Sequence, residues 1–274
     1  GQELLRALGT RGPLLATTRS GLLPDGGACA VADFDRPQSL GTLLDRLQPT
    51  AVINAAAYTA VDKAEYERAA AFRVNAEAPG TIARWCADHG VPLVHYSTDY
   101  VFDGRASRPY LPDDPTGPLC VYGESKLAGE EAIRDSGGRH VILRTAWVYA
   151  AHGSNFLRTM LRIGAERDEL RVVADQIGTP TPAALIADVT AHALTRRDAA
   201  HSGTWHLTAA GETSWHGFAE SIFANGGFVL HVPVHPDGDC HDRERNRAIT
   251  YQLRAMFRRV FNRCANLFDK FVVL

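Results

Sequence analysis

Short apolar runs alternate with helical stretches along most of this chain, and that alternation constrains its fold more than any other feature. Pro13–Thr18 is an apolar run, and a helical pattern follows near Ser39–Leu47. Thr50–Ala56 (TAVINAA) is β-branched and apolar and reads as a buried strand. Helical patterns cover Val61–Val74 and Ala76–His89, the second stopped by Gly90. Val91–Ser97 (VPLVHYS) is another buried strand, Gly117–Arg134 is helical in its later part, His140–Ala146 (HVILRTA) is a strand and Asn155–Arg167 a helix. Apolar runs of about four to eight residues separated by helices indicate parallel strands joined by helical crossovers. The expected fold is α/β: a doubly wound, Rossmann-type parallel sheet with a smaller C-terminal substrate lobe. The dinucleotide-binding domain is placed at 1–150. The remainder, 151–274, is read mainly as the lobe, with some segments returning to the sheet. Beyond Leu170 the pattern loosens into a strand and proline-rich turn (RVVADQIGTPTP), a helix at Ala183–Thr195 and a short strand at Gly203–Leu207. Such pieces usually wall a pocket over the carboxyl edge of the sheet.

With 45% hydrophobic and 22% charged residues and a formal net charge of -2, the 274-residue chain is an ordinary globular protein with no push toward nucleic acid or membrane. No apolar run approaches the roughly 20 residues that span a bilayer, and the chain does not open on a signal-peptide pattern. Five scattered cysteines without a C-x-x-C pair argue for a reducing compartment, with the cytoplasm as the default.

The sharpest chemical signal is Tyr122-Gly-Glu-Ser-Lys126. On a helix, positions i and i+4 share a face, so phenol and ammonium point the same way. A nearby ammonium favours the phenolate and is expected to lower the tyrosine pKa, readying it to trade a proton with a carbonyl or alcohol. Upstream, Thr98 follows a buried strand directly and so stands at the carboxyl edge of the sheet, where its hydroxyl can bond the same substrate oxygen. Trp147 lies just past another strand end; a stacking plate for a sugar or base and a core tryptophan are equally good readings of it. Where an NAD-specific chain carries an acid after its second strand, this one has Thr17-Thr18-Arg19-Ser20. The Arg19 guanidinium can meet a 2′-phosphate, which leans the expectation toward NADPH, with NADH second and Asp25 close by.

Five linked blocks carry a resemblance: NAAAYTAVDKAE (Asn54–Glu65), HYSTDYVFDG (His95–Gly104), VYGESKLAGE (Val121–Glu130), RTAWVYA (Arg144–Ala150) and DQIGTPT (Asp175–Thr181). In these, and from Gly1 to about Ala224, the chain resembles the dTDP-4-dehydrorhamnose reductases, extended short-chain dehydrogenases. The resemblance implies reduction of the 4-keto group of dTDP-4-dehydro-L-rhamnose by NAD(P)H. It implies Tyr122 as proton donor, Lys126 as its support and ribose holder, and Thr98 as the group that polarises the carbonyl. Asp33 and Phe34 would contact adenine, and Ala57, Tyr58 and Thr59 the middle of the cofactor. Gly1 and Tyr96 complete the cofactor set, and Asp99 and Trp147 would touch the nucleotide-sugar. The resemblance leaves room for a homodimer.

Three departures accompany it. Gly1 aligns with the last glycine of the family's phosphate-binding loop, so the first strand and most of that loop have no counterpart. Two exposed strand edges, weak cofactor binding and a longer natural chain are therefore expected. The family is associated with a glutamate-bound magnesium ion; Glu3 matches one ligand position, but Ala184 occupies another, and no specific metal site is expected. From about Asn225 the tail no longer matches. HVPVHPDGDCH reads as a turn rather than a zinc site, and apolar spacing predicts a helix within Ile249–Phe268 docked near the substrate lobe. Rival readings are a nucleotide-sugar epimerase or other extended reductase, a non-catalytic subunit like the regulatory one of methionine adenosyltransferase, and an inactive fragment. A dehydratase is disfavoured, because Asp99 is followed by Tyr100 and not by a second carboxylate.

Overall fold

The structure, a computed structural model, describes residues 1–167, 169–194, 202–226, 234–235 and 271–274. The first half runs α1 (Gln2–Leu8), β1 (Leu14–Thr18), β2 (Ala30–Val31), α2 (Gln38–Leu47), β3 (Ala51–Asn54), α3 (Val61–Ala64), α4 (Arg68–Phe72), a π-helical turn at Arg73–Glu77, α5 (Ala78–Asp88) and β4 (Leu93–Thr98). Then come α6 (Val121–Asp135), β5 (His140–Thr145), β6 (Val148–Tyr149), α7 (Phe156–Gly164), β7 (Val172–Val173), β8 (Ile177–Gly178) and β9 (Thr181–Pro182). The remaining elements are α8 (Ala183–Ala193), β10 (Gly203–His206), β11 (Thr213–Ser214), α9 (Trp215–Gly226), β12 (Val234–His235) and β13 (Phe271–Val273).

Seven parallel strands form the main sheet in the order β10-β5-β4-β3-β13-β1-β2. Alternate side chains of a strand face opposite sides, and the strands here feed two cores accordingly. Val52, Leu93, Ile142 and Val272 pack with Leu40 and Leu44 of α2 and Ile82 and Trp85 of α5. Ala51, Ile53, Val94, Leu143 and Val273 pack on the other face with Leu4 and Leu8 of α1 and Ile186 and Val189 of α8. Burial on both faces is what the unbroken apolar runs anticipate. A third cluster joins α7 and α9 through Met160, Ile222 and Phe223, beside the short pairs β11–β8 and β12–β7.

Two expectations are corrected. The gap between β1 and β3 is not open, because β13 fills it in parallel, pairing Leu14 with Phe271 on one side and Ala51 with Phe271 on the other. Ala55 N–H donates to Leu274 O, and Leu274 N–H to Ile53 O, extending the ladder past the strand end. The single helix expected over Val61–Val74 is instead α3, α4 and a π-turn. That wider turn presents Asn75, whose amide accepts from Tyr58 N–H (2.8 Å) and donates to Tyr58 O and Ser125 Oγ (3.0 Å each). The helix expected within Ile249–Phe268 and most of HVPVHPDGDCH lie outside the described residues.

Candidate active site

The first turns of α6 bring the Tyr-x-x-x-Lys pair to the ends of β3, β4 and β5. Cys120 Sγ caps the helix by accepting from Gly123 N–H, and Val121 N–H donates to Glu65 Oε1 at 2.9 Å. Two glycines let α6 lie directly on backbone: a Cβ at Gly123 would meet Tyr100 O, and one at Gly129 would meet Asn75 O. The same helix is bolted to β5 by a buried ion pair. Arg144 donates to both oxygens of Glu130, at 2.8 and 2.7 Å. Burial works against that carboxylate, but Arg144 holds its pKa below the ordinary value.

Lys126 is almost wholly buried and donates from Nζ to Tyr96 O at 2.7 Å. Tyr122 is half-buried, edge-on to Tyr100, and shares a hydrogen bond with the Thr98 hydroxyl. Thr98 Oγ1 in turn donates to Asp99 Oδ1 at 3.0 Å and accepts from Tyr100 N–H. Burial pushes the Asp99 carboxyl up to about 6. The Tyr122 phenol is also raised, first by burial and then by the charges of Asp99 and Cys120, with the Thr98 bond opposing. This corrects the expectation that Lys126 lowers it: the Lys126 Nζ is turned to Tyr96 O and His95, and desolvation of the phenol dominates.

Two clefts that share Ala57 open along the carboxyl edge. The smaller, about 290 Å³, is lined by Gly1, Thr59, Tyr96, Tyr122, Lys126 and Thr145 among others. The larger, about 550 Å³, is lined by Thr17, Thr18, Arg19, Phe34, Asp35 and Tyr58 among others. The structure thus brings together Tyr122, Lys126, Tyr96, Thr59, Ala57 and Gly1, and separately Arg19, Phe34 and Tyr58. Asp33 does not line either cleft; its carboxylate accepts from Asp35 N–H (3.0 Å) and faces Arg36 (3.6 Å), leaving Asp35 at the wall. Trp147 does not line them either. It stacks on Trp215 at 3.6 Å between centroids, against Gly178, where a side chain would collide with its indole.

Sequence reasoning missed Asn75, the Glu130–Arg144 pair and His95. A signal was present for the pair, since an arginine inside the apolar run HVILRTA demands a buried partner.

An elongated nicotinamide dinucleotide fits this pair of clefts. Thr145 Oγ1 is buried at the smaller one without a hydrogen-bond partner among the described residues, and Lys126 and Tyr122 face the same space. Magnesium does not fit. One Glu3 oxygen bonds Arg6 (2.7 Å) and the other His152 (3.0 Å), Ala184 offers no ligand, and no metal-holding cluster occurs among the described residues.

The model of the RmlD substrate binding domain family matches residues 1–237. A dTDP-4-dehydrorhamnose reductase of Burkholderia thailandensis is 50% identical over 231 residues, covering 82% of this chain and 74% of that protein. One from Escherichia coli K12 is 45% identical, covering 81% and 73%. Among solved structures, the dTDP-4-dehydrorhamnose reductase of Bacillus anthracis in complex with NADP superposes with a TM-score of 0.80 at 29% identity, over 92% of this chain and 94% of that one.

Proposed function

Since the chain belongs to the dTDP-4-dehydrorhamnose reductase family, we propose that it reduces the 4-keto group of dTDP-4-dehydro-L-rhamnose to the alcohol of dTDP-L-rhamnose. It is an NAD(P)H-dependent oxidoreductase. The observation that carries the reading is Tyr122 hydrogen-bonded to Thr98 with Lys126 on the same cleft wall.

The bound dinucleotide supplies the hydride; the chain's own residues bind, orient and protonate. Tyr122 gives its phenolic proton to the oxygen at C4, where negative charge develops. A raised phenol pKa suits this direction of reaction, because the proton stays on the tyrosine until an alkoxide, the stronger base, forms beside it. Thr98 turns its hydroxyl from Asp99 to the same oxygen and stabilises the developing charge. Lys126 holds the ribose and restores the proton. Arg19 stands at the wall of the larger cleft to meet a 2′-phosphate, favouring NADPH, Phe34 lines the adenine side and Tyr58 the middle of the cofactor. Asp99 and Trp147 are assigned to the nucleotide-sugar. The part up to about residue 150, with later segments such as β10 and β13 returning to its sheet, binds the cofactor, and the rest of the later part closes over the sugar. No described helix is long and apolar enough to cross a membrane; we place the enzyme in the cytoplasm, with a homodimer as its candidate assembly.

The test is NADPH oxidation at 340 nm with dTDP-4-dehydro-L-rhamnose, with the product identified by NMR. A folded protein that oxidises no NADPH would refute the reading and favour a non-catalytic binding role. Interconversion of nucleotide-sugar epimers without net NADPH consumption would replace it by an epimerase.

A further inference from the structure

Asn54 and His95 stand opposite one another where β3 pairs with β4. Both side chains are buried. The Asn54 amide has one orientation available, because its Oδ1 accepts from Ala56 N–H at 3.1 Å. Its NH2 therefore faces His95 Nδ1, 3.1 Å away, and donates to it. A neutral imidazole carries one N–H, and with Nδ1 accepting, that hydrogen sits on Nε2. Nε2 lies 3.3 Å from Lys126 Nζ. The other neighbour of Nζ, Tyr96 O at 2.7 Å, can only accept. An ammonium would thus set N–H against N–H across the 3.3 Å contact, whereas an amine offers a lone pair to Nε2–H and one hydrogen to Tyr96 O.

We propose that His95, locked as the Nε2–H tautomer by Asn54, is a positioning residue that disfavours the ammonium form of Lys126 until an anionic ligand enters the cleft.

The charges around Lys126 leave that arrangement standing. On α6, Tyr122 is one turn before it, and Glu130 one turn after, its carboxylate already taken by Arg144 and, at 3.1 Å, Arg134. From β3 comes only the Asn54 amide. β4 adds His95 and the Tyr96 hydroxyl, the latter bonded to Thr190 on α8. β5 adds Thr145 and Arg144, and across the cleft Glu3 and His152 are paired with each other. Burial lowers Lys126 to about 8, against a weaker upward pull from Glu130, and burial with the Lys126 charge drives His95 well below its ordinary value. The device loosens the proton on Lys126. Arrival of a phosphate-bearing dinucleotide favours the ammonium again, and that ammonium reprotonates Tyr122 after turnover.

The inference rests on Tyr122 and Lys126 being the reaction centre, but its test needs neither cofactor nor substrate, so the two can fail separately. The chain has three lysines, Lys63, Lys126 and Lys270. Selective 13Cε-lysine labelling, assigned with Lys63→Arg and Lys270→Arg, yields a resolved titration of Lys126, and 15N-histidine spectra report the His95 tautomer. The expected result is one lysine titrating near pH 8 and a neutral Nε2–H His95. His95→Gln, whose amide oxygen can accept from an ammonium, should raise the Lys126 midpoint by about one pH unit or more. A Lys126 midpoint above about 10, an Nδ1–H tautomer, or an unchanged midpoint in folded His95→Gln would each overturn the proposal. If that variant does not fold, the wild-type tautomer and midpoint decide.

Discussion

Removing Arg144 should strand a carboxylate inside the protein. In the folded chain the Glu130 side chain is fully buried and the Arg144 side chain is 3% exposed. Breaking such a pair by deleting one partner costs about 3–5 kcal/mol, because the remaining charge keeps its desolvation penalty and loses its compensation. Arg134 remains 3.1 Å from Glu130 but is 37% exposed, so it offsets part of the loss and places Arg144→Leu near the lower end, about 3 kcal/mol. Arg144 also donates to Pro112 O (3.0 Å) and stacks over Phe102 (5.0 Å), contacts worth about 1 kcal/mol each. Those are lost as well in Glu130→Leu/Arg144→Leu, but the stranded charge is not created. With them the single variant loses about 5 kcal/mol in all, and the double variant should recover the roughly 3 kcal/mol of the stranded charge and sit within about 2 kcal/mol of wild type. Urea unfolding followed by circular dichroism reads this directly: at a slope of about 2–3 kcal/mol/M, the single variant's midpoint falls by about 1 M or more. The pH dependence adds a second readout. Glu130 has a folded pKa below its ordinary 4.5, so the pair stabilises the fold above that value and the contribution is lost as pH falls through the folded pKa. Protonation relieves the stranded carboxylate of the single variant sooner, so its deficit should shrink between pH 7 and pH 4. A double variant no more stable than the single one, or a deficit that grows toward acid, would refute the reasoning.

Three further outcomes are expected. Tyr122→Phe should lower kcat about 10²–10⁴-fold with cofactor affinity retained, measured by stopped-flow and fluorescence titration; a loss under tenfold would remove Tyr122 from the proton-donor role. Arg19→Ala should erode the preference for NADPH over NADH in kcat/KM, and an unchanged ratio would show that Arg19 meets no 2′-phosphate. Val272→Asp puts a carboxylate at a fully buried position in the middle of the sheet. It should cost more than about 3 kcal/mol in urea unfolding, while a near-normal midpoint would mean that β13 is not central in solution.

The main sheet was legible because its strands are buried on both sides and announce themselves as apolar runs such as TAVINAA and VPLVHYS. The catalytic group was legible for a different reason: Tyr122 and Lys126 are four residues apart on one helix, and Thr98 ends a strand. Residues that work through tertiary contact left no such trace. Asn75 acts because a π-turn swings it onto Tyr58 and Ser125, and helical periodicity averages over that one extra residue. His95 was only one of several apolar-flanked positions in β4 until the pairing of β3 with β4 set Asn54 against it. β13 escaped notice because three residues carry little pattern of their own, and their role comes from the slot that receives them.

That slot has a kinetic consequence. Pairing β1 and β3 through β13 joins residues roughly 250 and 220 positions apart, so the centre of the sheet is closed by very long-range contacts among the described residues. Chain entropy alone is a mild obstacle, at about 0.6 kcal/mol per doubling of the loop. Order of synthesis is the harder one. On the ribosome β1 and β3 emerge long before Phe271, each with an unsatisfied inner edge, and every apolar strand in the vicinity is a competitor for the gap. The nascent chain therefore carries this gap open while the roughly 220 residues between β3 and β13 are made. We expect its yield in a cell to depend on how well that gap is shielded in the interval as well as on the stability of the finished sheet.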